Sequence, residues 1–180
     1  MTYVPGMDAG VLSDAFFSHA AERWAERLRV RSTESDRDVP PDAPLIDRIA
    51  AFGFTADTLS ALALSSLVEV AWSDGDLDAP EQAAVLAGVE AAGLAAGTAG
   101  HALVQSWIDA RPPAELFELG RAYRRALSEE LSVETRFRVR ERLIDSARSV
   151  AEASGGFLGL RAVSGEEEAV LERLDEDFGL

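Results

Sequence analysis

Apolar side chains recur at every third or fourth position through most of this chain, while the strict in-and-out alternation of a half-buried strand is nearly absent. A sequence patterned this way has to bury stripes rather than faces, so its elements must be helices packed on helices. The expected fold is all-α, a single-domain helical bundle of about seven or eight helices. The first helix begins near Ser13, with Phe17, Ala20, Trp24 and Leu28 on one stripe. "STESDRDVPPDAP", residues 32 to 44, is too polar and Pro-rich to bury anything and reads as a connector. A short helix from Leu45 to Phe52 ends at Gly53. Thr58 to Trp72 is expected as one central helix, apolar on several sides and therefore buried. Helices follow over Ala79 to Ala91, Ala99 to Ala110 with Trp107 and Ile108 inward, and Pro113 to Leu127. Val133 to Ala153 carries Phe137, Leu143, Ile144, Ala147 and Val150 on its inward stripe, and a last helix spans about Glu166 to Asp177.

Composition removes several kinds of chemistry. All 17 basic residues are Arg, so a phosphate-loop lysine, a Schiff-base lysine and a pyridoxal anchor have no primary amine to draw on. With no Cys there is no disulfide, thiolate metal site or thiol nucleophile. Two His, at 19 and 101, lie on different helices outside any catalytic motif. The formal charge of -15 repels phosphate backbones and anionic headgroups, so nucleic acid is not an expected partner. The apolar run from Leu59 to Trp72 is interrupted by Ser65, Ser66 and Glu69 and is shorter than the roughly 20 residues that span a bilayer. No direct membrane insertion is expected, and "MTYVPGMDAG" has no signal-like character, so a cytoplasmic location is expected. "GLAAGTAG", residues 93 to 100, follows no strand and precedes no Lys, which makes it an interhelical turn rather than a phosphate loop.

An internal echo appears at an offset of 80 residues. Leu59, Ala63, Leu64, Leu67, Val70, Ala71 and Gly75 match Val139, Leu143, Ile144, Ala147, Val150, Ala151 and Gly155 in type. Each apolar helix is followed by a loop and a capping signal, "DAPE" at Asp78 to Glu81 and "SGEE" at Ser164 to Glu167. Two related halves would bring their acidic elbows together in space.

The first elbow, "AWSDGDLDAPEQAAVL" from residue 71 to 86, gathers Asp74, Asp76, Asp78 and Glu81. Asp78 can cap the following helix, Pro80 has no donor to lose in a first turn, and Glu81 can reach back in a capping box. Asp74 and Asp76 are left over, and hard oxygen ligands on a short loop suit Ca²⁺ or Mg²⁺. The spacing fits the first three ligand positions of an EF-hand, but Ala79 stands where that loop needs Gly and Val85 where it needs a bidentate Glu. A cation bound by Asp74, Asp76, Asp78 and Glu81 would keep several waters and be held weakly, unless Glu166, Glu167 or Glu168 completed its shell. The alternative is a set of carboxylates that only caps and solvates.

"VAWSDGDLDAPEQAAVL", preceded by an apolar helix and echoed by "LIDSARSVAEASGG", resembles the TerB-like family, known from tellurite resistance and from a DnaJ-type co-chaperone. Ser73, Asp74, Gly75, Asp78 and Glu81 occupy the family's Ala-Asp-Gly, acidic-cap and Glu places, with Ser73 where Ala is usual. In the second half Gly155 and Glu167 fit, while Ser154 replaces a common Asp, a departure that tells against a second cation. The resemblance covers roughly residues 58 to 178, with 1 to 57 as a helical extension and connector. It implies an accessory role in stress or tellurite response, acidic sites suspected of holding a divalent cation, and no enzymatic activity. The expected partner is another protein or a second copy of the chain; the alternative is a metal-independent helical scaffold or dimerisation module.

Charge is also unevenly placed. Arg121 to Arg148 holds eight Arg against five acids, and Glu166 to Asp177 seven acids against one Arg. Such segments either form salt-bridged helix faces or leave a basic patch for an acidic partner.

Overall fold

Each apolar stripe becomes a helix in the computed structural model, which describes residues 15–31, 43–153 and 163–179. In chain order these are α1 (Ala15–Arg31), α2 (Leu45–Ala51), α3 (Leu59–Ala63), α4 (Ser65–Ala71), α5 (Ala79–Ala91), α6 (Ala99–Asp109), α7 (Ala114–Glu129), α8 (Val133–Ala153) and α9 (Gly165–Glu176). Among the described residues there is no strand, and the all-α bundle is as expected. Ser13, most of the connector and Gly155 lie outside the described residues.

The expected central helix is in fact two. Leu64, at φ -93° and ψ 3°, breaks it between α3 and α4. Paired serines follow the break, a composition at which helices bend because the short hydroxyls compete for backbone groups. Ser65 and Ser66 are both fully buried. The bend lets α7 come close: its Gly120 faces Ser65 Oγ and the Leu62 carbonyl where a Cβ would have no room. The break makes nine helices among the described residues, in keeping with the expected bundle of about seven or eight.

Helix α4 is the hub. Ser65, Ser66, Leu67, Val68, Val70 and Ala71 are all buried, and α5, α6, α7, α8 and α9 all pack around it. Each such large apolar side chain contributes about 1.5–3 kcal/mol relative to exposure. The N-terminal α1 feeds the same core through Ala20, Trp24 and Leu28. Trp24 meets Tyr123 of α7 edge-on, with ring centroids 5.5 Å apart, and donates its indole N–H to Glu130 at 2.9 Å.

On α8 the expected inward stripe holds at Leu143, Ala147 and Val150, while Ile144 is half-buried. Phe137 is a correction: it is 52% exposed, together with Val133 one turn before it. Thr135 and Val139 are buried on this first part of the helix instead. A ring pitched toward either side of the stripe has the same periodicity, so only the neighbouring helices decide.

The uneven charges are largely consumed within the molecule. Arg124 and Arg125 bind Asp177, Arg140 binds Asp175, and Arg173 reaches Glu69. The acidic segment that the basic stretch engages includes the chain's own C-terminal helix.

Candidate functional site

Helix α4 ends at Trp72, whose indole N–H donates to the Trp107 carbonyl at 2.9 Å and so pins the start of the acidic loop to the end of α6. The turn that follows needs a residue at φ +99°, which Gly75 adopts without the backbone strain that a side chain brings there, although the space around it is open. Its N–H donates to the Trp72 carbonyl at 3.2 Å. Asp74 folds back so that one carboxylate oxygen accepts from the Asp76 N–H at 3.2 Å. Asp78 then caps α5: its Oδ1 accepts from the Glu81 N–H at 2.9 Å, and Glu81 Oε2 accepts from the Asp78 N–H at 2.8 Å. Pro80 lies in the first turn, where no donor is lost.

Helix α9 opens the same way. Ser164 Oγ accepts from the Glu167 N–H at 3.1 Å, and Glu167 Oε2 in turn accepts from the Ser164 N–H at 2.6 Å. Both reciprocal caps expected from the sequence are thus formed.

The two caps come into electrostatic reach of each other. Glu81 is 3% exposed and Glu167 5%. Burial pushes the Glu81 carboxyl above its ordinary value; the hydrogen bond from the Asp78 N–H opposes this, and the charges of Asp78, Asp74 and Glu167 push it further up. This follows from the packing of α4 against both α5 and α9, and of α8 against the same two helices. Paired positions of the echo are buried in both halves at Leu59 and Val139, Ala63 and Leu143, Leu67 and Ala147, Val70 and Val150, and Ala71 and Ala151. Only the first member is broken, at Leu64.

The sequence-nominated carboxylates are therefore distributed by role. Asp78 and Glu81 are committed to the cap and Asp74 to the turn, while the exposed Asp76 side chain has no such part. Among the described residues, no three His, Asp or Glu side chains gather in an arrangement that could hold a metal ion. Asp74 Oδ1, Asp78 Oδ1 and Glu81 Oε2 each accept from a backbone N–H, which leaves the other oxygen of each carboxylate and both of Asp76 outside these bonds.

What the sequence did not nominate lies beside the elbow. Ser73 and Glu69 of the α4 end, Arg121 of α7 and Arg173 of α9 share the wall of an open groove. Glu69 pairs with Arg121 at 3.7 Å and with Arg173 at 3.3 Å. The signal was present as isolated charges on three helices, with nothing in their spacing to join them.

No helix among the described residues is long and apolar enough to cross a membrane. Comparison of the chain with family models, with curated proteins and with solved structures finds no match.

Proposed function

We propose that the chain is a TerB-like accessory protein of a cytoplasmic stress or tellurite response, working through protein contacts and without catalysis of its own. The observation that carries this reading is the meeting of two reciprocally capped elbows, Asp78 with Glu81 and Ser164 with Glu167, around one buried helix. Such a junction ties the approach of α5 and α9 to the charge held between them, so a partner docking there would sense both helices.

Two forms of the reading differ on the loop. In one, Ca²⁺ or Mg²⁺ binds weakly at Asp74, Asp76 and Asp78, relieves the repulsion felt at Glu81 and tunes the surface. In the other the module is a metal-independent scaffold or dimerisation unit. Commitment of three carboxylates to backbone N–H groups favours the second.

Calorimetric titration with Ca²⁺ and Mg²⁺, using Asp74→Ala as control, separates them. Heat that vanishes in the variant supports the cation form, and its absence at millimolar ion leaves the scaffold. The accessory role is tested in cells: removing the gene should sensitise them to tellurite or a related stress. Unchanged survival under every such challenge would remove it.

A further inference from the structure

The groove beside the elbow has a volume of about 570 Å³ and carries more hydrogen-bond donors than it satisfies. Arg121 is fully engaged, by Glu69 on one side and Glu118 on the other. Among the described residues Arg173 makes one ion pair, at 3.3 Å to the same Glu69, and its Nε–H is buried with no acceptor. Ser73 Oγ is likewise buried and unpartnered. Arg111, at the rim, is exposed and has no ion-pair partner among the described residues. Three donor side chains from three separate parts of the chain thus line one cavity: among the described residues Ser73 Oγ and Arg111 have no acceptor, and Arg173 is held by Glu69 alone.

We infer that this groove binds a small carboxylate with an apolar body, the carboxylate held by Arg111, Arg173 and Ser73 and the body lying against Phe117 and Val170. The guanidinium fork matches a carboxylate with two parallel N–H donors, and the Ser73 hydroxyl adds a third once it rotates from its buried position into the groove. Arg173 is free to turn onto the ligand because Glu69 keeps Arg121 when Arg173 leaves. Its side chain, 42% exposed, already reaches solvent.

Charge selects a monoanion. The three guanidiniums of the groove are balanced by Glu69, Glu118 and Glu166, and the chain as a whole carries -15. With no surplus of positive charge in the groove, this background repels a doubly charged phosphate about twice as strongly as a monoanionic carboxylate, whose single charge the donors can meet.

The test is a two-dimensional NMR titration of the full chain with 3-phenylpropionate, with 3-phenylpropanamide and inorganic phosphate as controls. Saturable shifts at the amides of Ser73, Phe117 and Val170 are expected with the acid and not with the amide, and phosphate should bind more weakly. Arg173→Met should weaken binding roughly tenfold, the worth of one charge-assisted hydrogen bond. Arg111→Gln, an exposed rim change that leaves packing untouched, should weaken it in the same direction, so a misfolded Arg173 variant cannot decide the matter alone. Equal shifts from the amide, tighter binding of phosphate, undiminished affinity in Arg111→Gln, or no saturable shift at millimolar acid would each overturn the assignment.

Discussion

Glu81 and Glu167 close the reciprocal caps of two helices far apart in the chain, and the fold sets them near enough that the charge on Glu167 raises the proton affinity of Glu81. An acid whose folded value is raised contributes stability that is complete below its unfolded value and is lost as pH rises through the folded one. Its ordinary value is 4.5, so the loss falls above that pH. Glu81→Gln keeps an acceptor for the Asp78 N–H while removing the charge. The variant should be more stable than the parent at pH 7, by up to about 1 kcal/mol. Urea melts at pH 7 and at pH 4 check this: the advantage should shrink at the lower pH, where both forms are neutral.

The caps themselves should be worth measuring separately. Asp78→Ala removes the acceptor for the Glu81 N–H, and Ser164→Ala does the same for Glu167. Each should cost about 1 kcal/mol. Denaturant unfolding of both single variants and of the pair shows whether the elbows act as one unit, since distant caps would simply add while neighbours would couple.

Arg124 and Asp177 form the most deeply buried ion pair described, with side chains 2% and 0% exposed, and Arg124 also donates to Ser65 at 3.2 Å. Burial presses Asp177 up and Arg124 down, and their mutual attraction opposes both. Arg124→Met strands the carboxylate beside only the exposed Arg125 and should cost about 3–5 kcal/mol. The double variant Arg124→Met with Asp177→Leu should recover much of this, because no charge is then left without a partner. Chemical denaturation of the full cycle gives the coupling energy.

Gly120→Ala would drive a methyl onto Ser65 Oγ and against the Leu62 carbonyl at the bend between α3 and α4. Overpacking of this kind should cost about 1–3 kcal/mol. Adding Ser65→Ala removes the closest obstruction but also an Arg124 acceptor, so only partial rescue is expected. Thermal unfolding of the single and double variants measures it.

Helix class, the bounds of α5 and α8 and both reciprocal caps were legible in the residues alone, because periodicity, Asp78 with Pro80 and Glu81, and Ser164 with Glu167 are local signals read within one or two turns. The direction of Phe137, the break at Leu64 and the partners of Asp175 and Asp177 were not. Each depends on which helix arrives from elsewhere in the chain: α7 brings Gly120 against the bend and Arg124 and Arg125 against Asp177, and α8 brings Arg140 against Asp175. The groove between α4, α7 and α9 belongs to the same category. Local sequence determined where this chain turns helical and how those helices start; the tertiary structure decided which charges meet, because ion pairing and close packing act through space between segments that have no neighbour relation along the backbone.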